Sequence, residues 1–268
     1  MSALAALPRR ERLIVGASLL GIALLAWVYL FYDAHRMSAS GAADCMCMQM
    51  SGPQLSAWPV GALFPLFVMW SIMMVAMMLP SALPMVLTFA AVARNRRQHG
   101  RPYVPAAIFV SGYVIVWSVF SALAAAGQWL LHRTALLSTS MASTSTLFAG
   151  LLLLGAGLFQ FTSLKRACLT RCRGPMEFIM TRWREGRWGA LHMGLEHGAF
   201  CTGCCWALMA LLFVLGVMNL LWIAALTTLV CVEKMLPARA RISLATGLLL
   251  VGWGICLLTR HSLPFAMF

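Results

Sequence analysis

Seven long apolar runs, separated by short polar segments, divide this chain. Each is close to the roughly 20 residues that an α-helix needs to cross a bilayer, although the sixth is shorter. They lie at about Leu13–Tyr32, Ala62–Ala93, Pro105–Leu131, Thr144–Leu164, Ala190–Met218, Leu220–Met235 and Ile242–Thr259. Only Asn219 marks the turn between the fifth and sixth runs. The pattern predicts an all-α integral membrane protein, a polytopic bundle of about seven transmembrane helices.

The basic residues predict how this bundle is oriented. With the amino terminus inside, 17 of the 20 lysines and arginines fall in the inner segments, and only Arg36, Arg133 and Arg260 fall outside. This bias follows the positive-inside rule and predicts a cytoplasmic amino terminus and an external carboxyl terminus. The net charge of +13 is then explained by an anionic inner leaflet. The lipid bilayer, and not nucleic acid, is the predicted partner of these charges.

The chain shows no convincing internal repeat and no soluble domain. Residues 1–268 are therefore predicted to form a single polytopic membrane domain. Its two longest polar segments are residues 33–58, predicted outside, and residues 165–189, predicted inside and rich in arginine.

Soft sulfur ligands are concentrated in the second run. Five methionines occupy ten positions there: Met69, Met73, Met74, Met77 and Met78. Their helical spacing places them on adjacent stripes of one helix, and thioethers favour monovalent copper. Pro80 and Pro84 follow, and prolines inside a helix remove backbone hydrogen bonds and bend the chain. Methionine is also a common core filler, so a metal path and ordinary packing stay open as alternatives.

A second sulfur cluster lies in the fifth run, which reads HGAFCTGCC from His197 to Cys205. At about 100° per residue, His197, Cys201 and Cys204 share one face of the helix. They also rise by about 10 Å, at about 1.5 Å per residue, which is too far for one ion to contact them all. The spacing predicts overlapping ligand pairs, which other helices complete. Thiolate and imidazole suit copper, with zinc as the alternative, whereas a buried lone cysteine is usually a small hydrophobe.

Two acidic residues occur in or near these runs, where carboxylates are costly and usually functional. Glu196 precedes His197 directly, and it is predicted to orient the imidazole or to bind metal itself. Glu233 lies near the inner end of the sixth run, as a further candidate ligand. An interfacial ion pair with a nearby lysine or arginine is its alternative.

Two more cysteine pairs lie in the polar segments. Cys45 and Cys47, in CMCMQM, form a candidate site for copper capture on the outside, with a disulfide as the alternative. Cys168 and Cys172, in CLTRC, place two thiols one helical turn apart among arginines, and nearby positive charge favours the thiolate. Two ordinary cytosolic thiols are the alternative there.

Three stretches of the chain resemble one known family. They are WSIMMVAMMLPSALPM (Trp70–Met85), CLTRCRGP (Cys168–Pro175), and HGAFCTGCCWALMALLFVLGVMNLLW (His197–Trp222) with the later Glu233–Lys234. Across about residues 60–236, the chain resembles the predicted metal-binding integral membrane proteins, a domain of unknown function. The resemblance implies a bacterial, inner-membrane protein. It also implies a metal site at the matching positions Met73, Met74, Met77, Met78, Cys168, Cys172, His197, Cys201, Cys204, Cys205 and Glu233.

Three functions are compatible with these residues. The first is binding of a soft metal, most simply copper, with its transfer or transport across the membrane. The second is a non-transporting accessory or scaffold role, in which a membrane metalloenzyme or a periplasmic metal carrier is the partner. The third is a membrane thiol–disulfide oxidoreductase that exchanges disulfides through Cys204–Cys205 or Cys45–Cys47. Neither pair has the C-x-x-C spacing, but Cys201 and Cys204 have it, as CTGC. This function ranks last because abundant methionine has no role in thiol exchange, so an enzyme is not the expected class.

Overall fold

The structure, a computed structural model, describes residues 8–48, 60–133, 145–236 and 239–262, without the side chains of residues 37–48, 239–240 and 260–262. Regular structure in these ranges is entirely helical, which confirms the all-α class. After α1 (Arg9–Met48) and a short 3-10 turn (Val60–Ala62), the helices are α2 (Leu63–Gln98), α3 (Ala106–Arg133), α4 (Thr146–Phe159), α5 (Ser163–Arg173), α6 (Pro175–Arg182), α7 (Gly186–Ala210), α8 (Leu212–Leu215), α9 (Leu220–Met235) and α10 (Arg239–Ser262).

Five helical segments in the described ranges are long and apolar enough to cross a membrane. They are Arg9–Arg36, Val60–Gln98, Ala106–Arg133, Gly186–Leu215 and Arg241–Thr259. Helix α9 coincides with the predicted sixth run but has only 16 residues, about 24 Å at about 1.5 Å per residue. It is therefore shorter than the roughly 30 Å hydrocarbon core, and the predicted count of seven spans is not confirmed.

The predicted fourth span is divided in the structure. Helix α4 ends at Phe159 and α5 begins at Ser163, and the two are bent by 63°. The side chain of Thr162 accepts a hydrogen bond from the backbone N–H of Lys165 and so caps the start of α5. Such a cap satisfies a backbone donor that a continuous helix would have bonded. The pair α4–α5 adds a sixth span only if both helices are counted together.

Helix α1 is longer than predicted. It continues to Met48, so the first part of the predicted outer segment, residues 33–58, is helical. Cys45 and Cys47 lie on its last turns, but their side chains lie outside the described part of the structure, as do residues 49–59. The proposed capture site there stays a prediction.

Glycines allow α3 and α7 to approach each other closely. A Cβ atom added at Gly194 would lie 2.0 Å from the carbonyl oxygen of Phe109, and one at Gly112 would lie 2.4 Å from that of Leu191. Neither position has room for a side chain, because the obstacle in both cases is backbone. Small residues at such contacts are typical of helices that pack in a membrane.

The same kind of contact joins α4 to α10. Gly150 packs against Leu258, and Gly157 packs against Val251. A Cβ atom added at either glycine would lie less than 3 Å from the side chain of its partner. The sequence predicts close helix contacts at Gly150, Gly155 and Gly157. The contacts at Gly150 and Gly157 are confirmed. The contact predicted at Gly155 is wrong, since an added Cβ atom there meets nothing within 4 Å.

Helix α2 continues through both of its prolines. Near the prolines, Ser81 Oγ donates to the carbonyl oxygen of Met78 at 2.8 Å. Thr88 Oγ1 donates to the carbonyl oxygen of Pro84, also at 2.8 Å. Both are bonds from a side-chain hydroxyl to a carbonyl of the preceding turn of the same helix.

A two-part break connects the fifth and sixth runs. Helix α7 ends at Ala210, the single turn α8 follows, and Gly216 then adopts a φ of 95°, which favours glycine. Asn219 begins α9, and its side chain accepts from the backbone N–H groups of Leu221 and Trp222. The turn predicted at Asn219 is thus confirmed. The earlier break at Gly216 was not predicted from the sequence pattern.

Candidate soft-metal site

The methionines of α2 all lie in the core. Met73, Met74, Met77 and Met78 have no exposed surface, and Met69 is 4% exposed. None of the five therefore points toward the surrounding lipid or water. Burial suits both a packed core and a path for a soft ion, so the contacts of the individual sulfur atoms have to distinguish the two.

Helix α7 carries three buried thiols that converge on one turn. The Sγ atoms of Cys204 and Cys205 each donate to the carbonyl oxygen of Cys201 at 3.0 Å. Because this oxygen belongs to the preceding turn, both thiols point back toward Cys201. The three side chains are 1–2% exposed, and all are free thiols.

Helix α5 adds two further thiols to this cluster. Cys172 packs against the buried cluster that contains Cys201, Cys204 and Cys205, and it is only partly buried. Cys168 is nearly buried, and its Sγ lies 2.9 Å from the position that a Cβ atom on Gly203 would take. The bend between α4 and α5 therefore brings the CLTRC segment against α7. Five thiols from two predicted motifs form one cluster.

One methionine of α2 contacts the thiols directly. The Sγ of Cys205 and the Sδ of Met78 are 3.9 Å apart. Met78 thus links the methionine stripe of α2 to the cysteine cluster of α7. The sequence alone places the two sets at comparable depth, and the structure brings them into contact.

A closed ring of hydrogen bonds surrounds Cys201. Lys234 Nζ donates to Cys201 Sγ at 2.9 Å and to Ser81 Oγ at 3.0 Å, and Ser81 donates to the carbonyl oxygen of Met78. The hydroxyl of Tyr113 lies 3.2 Å from that same oxygen and 3.1 Å from Cys201 Sγ. The ring joins α2, α3, α7 and α9, so it fixes the position of this one sulfur from four helices.

His197 lies among aromatic rings, one turn before Cys201. Its imidazole is 2% exposed and stacks on Phe109 and Tyr113, with ring centroids 5.9 and 5.6 Å away, while Phe178 lies 5.7 Å away at a steeper angle. Its Nδ1 has no hydrogen-bond partner among the described residues. Such a buried nitrogen is costly to leave unpaired. A ligand role for His197 stays a prediction.

The structure gives Glu196 a different partner from the predicted one. Its Oε1 accepts from Arg182 Nη1 at 2.9 Å, and its Oε2 has no partner among the described residues. The carboxylate therefore does not orient the imidazole of His197 through a hydrogen bond. Adjacent residues on a helix point about 100° apart, which explains why the two side chains separate.

Glu233 forms the ion pair that was the alternative to a ligand role. Its carboxylate oxygens lie 2.9 and 2.8 Å from Lys165 Nζ, and both side chains are at most 2% exposed. Ser243 Oγ donates to the same carboxylate at 3.0 Å, and Lys165 also donates to Gln160. The pair is buried, not interfacial as predicted, and it connects α5, α9 and α10.

Lys234 is the functional candidate that the sequence reading missed. It directly follows Glu233 in a sixteen-residue apolar helix, and adjacent residues on a helix point about 100° apart. Glu233 pairs with Lys165, while Lys234 is 9% exposed and its Nζ contacts Cys201 Sγ. A lysine within an apolar run is itself a signal of function.

The geometry favours ligand pairs. No group of three or more His, Cys, Asp or Glu side chains in the described ranges is arranged to hold one metal ion. What the residues offer are pairs of thiols, with a thioether in contact. Thiolate ligands suit monovalent copper and zinc, and a thioether in contact favours copper. This arrangement suits an ion that is passed on more than one that is enclosed.

Apolar helices of membrane length around a buried group of thiols and thioethers define a membrane-type protein with an interior suited to soft metals. A family model described as "PpoB2: Copper chaperone" matches residues 67–257. The chain therefore belongs to the PpoB2 copper chaperone family, which supports a copper-related function. The match includes the methionines of α2 and the cysteines of α5 and α7, but not Cys45 or Cys47. No curated protein and no solved structure matched the chain.

Proposed function

We propose that this protein is a copper chaperone of the bacterial inner membrane, which binds monovalent copper as cargo and passes it to a partner. Cys201 and Cys204 would hold the ion, with Met78 as a nearby thioether. The contact between Met78 and Cys205 carries the proposal, since it joins the methionine and cysteine motifs within one buried cluster. The family of the chain supports copper as the metal.

Transfer would proceed by exchange of one sulfur ligand at a time. Cys172 is partly exposed and packs against the buried cluster that contains Cys201 and Cys204. It would therefore take the ion from the buried pair, or deliver it there, at the basic face of α5. On the other side of the cluster, Met73, Met74 and Met77 would extend the path along α2. Cys45 and Cys47 would capture copper at the outer end.

Replacing Cys201 and Cys204 together by serine is expected to remove the bound copper. Oxygen is a much poorer ligand for monovalent copper than sulfur, and serine preserves the size of the side chain. The protein would be purified under reducing conditions and its copper and zinc measured by elemental analysis. We expect about one copper per chain in the wild type and less than a tenth of that in the variant.

Cys256 provides the matched control for this experiment. It is an exposed free thiol on α10, so Cys256→Ser should leave the copper content unchanged. Equal copper in the wild type and in the Cys201/Cys204 variant would exclude the buried thiols as the site. More zinc than copper in the wild type would contradict the choice of metal.

Delivery to a partner is favoured over transport, because the family is described as chaperones. The recipient would be a membrane metalloenzyme or a periplasmic metal carrier. In proteoliposomes loaded with a copper(I) indicator, a chaperone should bind copper stoichiometrically without accumulating it in the lumen. Accumulation that depends on Cys201 and Cys204 would instead establish a transporter.

A further inference from the structure

Lys234 is a buried cation whose contacts include no carboxylate. Its Nζ donates to a thiol sulfur, on Cys201, and to a hydroxyl, on Ser81. The ion pairs within the described residues do not include it, and the neighbouring carboxylate of Glu233 is already paired with Lys165. An unpaired buried charge is costly, so a buried cation has to find a compensating negative charge. The thiols beside it are the groups that can supply one.

Two sulfur atoms would become thiolates when an ion binds. Cysteine binds metal as the thiolate, so Cys201 and Cys204, the two ligands of the proposed function, each lose a proton on binding. The described residues hold no group of three or more His, Cys, Asp or Glu side chains arranged to bind one ion, so two thiolates are the anionic ligands that the proposed site would contain. Lys234 contacts one of these two sulfurs directly.

We infer that Lys234 selects a monovalent ion. Its ammonium group neutralises one of the two thiolates, so one monovalent cation balances the negative charge that remains. This inference rests on the proposed function and identifies what selects its cargo. Two thiolates, one ammonium and one monovalent ion have no net charge. A divalent ion in the same place leaves one uncompensated positive charge in a buried site. Zinc and other divalent ions are therefore disfavoured by charge, a selection that thiolate ligands alone do not provide because they also bind zinc.

The test compares the affinities for a monovalent and a divalent ion in the same variants. Silver(I) is a redox-inert probe of the monovalent site, and cobalt(II) reports thiolate coordination through its charge-transfer absorption. In Lys234→Gln, which keeps a hydrogen-bond donor but no charge, the ratio of silver to cobalt affinity should fall by about tenfold or more. In Lys234→Arg, which keeps the charge, the ratio should stay within about threefold of the wild type.

A second variant reaches the same charge balance without removing the lysine. Ser81 lies 3.0 Å from Lys234 Nζ, so Ser81→Asp would pair with the ammonium and release the thiolate from it. The affinity ratio should again fall by about tenfold or more. Ser81→Ala is the control, because it removes the hydroxyl and leaves the charge unchanged. Circular dichroism of each purified variant shows whether its helices are intact. If only one of Lys234→Gln and Ser81→Asp folds, that variant alone is sufficient to test the charge balance.

The outcomes separate this inference from the proposed function. If the wild type binds silver through Cys201 and Cys204, and both Lys234→Gln and Ser81→Asp keep its affinity ratio, the role of Lys234 is refuted and the copper site stands. If the wild type binds no monovalent ion at these cysteines, the proposed function fails before the lysine is tested. A fall in the ratio for Ser81→Ala, as large as for Ser81→Asp, would also refute the charge argument.

Discussion

Glu233→Gln is expected to lower the free energy of unfolding by about 3–5 kcal/mol, the usual cost of breaking a buried ion pair. The substitution leaves the ammonium of Lys165 buried without its counter-charge. The amide can accept a hydrogen bond from Lys165 but cannot neutralise it. Unfolding of the detergent-solubilised protein, followed by circular dichroism against increasing denaturant, would measure the loss.

A charge-free double variant provides the comparison. Lys165→Met combined with Glu233→Leu removes both charges from an apolar site, and such replacements are often neutral or stabilising. It should therefore recover most of the stability lost in Glu233→Gln. Copper content should be unaffected in the double variant, because Glu233 is occupied by Lys165. If a folded double variant lost its copper, Glu233 would have to be counted as a metal ligand.

Gly194→Ala is expected to destabilise the protein by about 1–3 kcal/mol or more, as overpacking of a tight contact does. The added Cβ atom would lie 2.0 Å from the carbonyl oxygen of Phe109 and 3.2 Å from the Cα of Gly112. Because both obstacles are backbone, α3 has to move away from α7. The shift carries Tyr113 away from Cys201, so copper affinity should fall together with stability. Both would be measured on the same purified preparation.

Gly155→Ala is the matched control. It also replaces a glycine within an apolar helix, but nothing lies within 4 Å of its added Cβ atom. Alanine is a better helix former than glycine by about 1 kcal/mol, so the variant should be as stable as the wild type or slightly more stable. If Gly194→Ala behaves like Gly155→Ala, the close approach of α3 and α7 is not what holds Tyr113 in place.

The features that could be predicted from the sequence are those with a local signal. Hydropathy alone predicts the all-helical class and the position of α9, and it places the methionines on one helix. Helical spacing likewise predicts that Cys201 and Cys204 share a face. In each case the periodicity of one helix is sufficient, because no partner helix has to be known.

The features that could not be predicted depend on packing between distant segments. Cys172 packs against the buried cysteines of α7, and this depends on the 63° bend between α4 and α5. Helical spacing separates Glu233 from Lys234 on α9, but it does not identify their partners. Those are Lys165, 68 residues away in sequence, and Cys201. Choices among competing partners are decided by the tertiary structure.

The short length of α9 predicts hydrophobic mismatch wherever this helix crosses a bilayer. In the inner membrane that we propose, a helix of about 24 Å cannot match a hydrocarbon layer of about 30 Å, so lipid around it has to thin or the helix has to sit nearer one leaflet. The carboxyl-terminal end of α9 carries Lys234. Local thinning there would shorten the distance between the aqueous phase and Cys201. Acyl-chain length would in this way influence how readily an ion leaves the cluster.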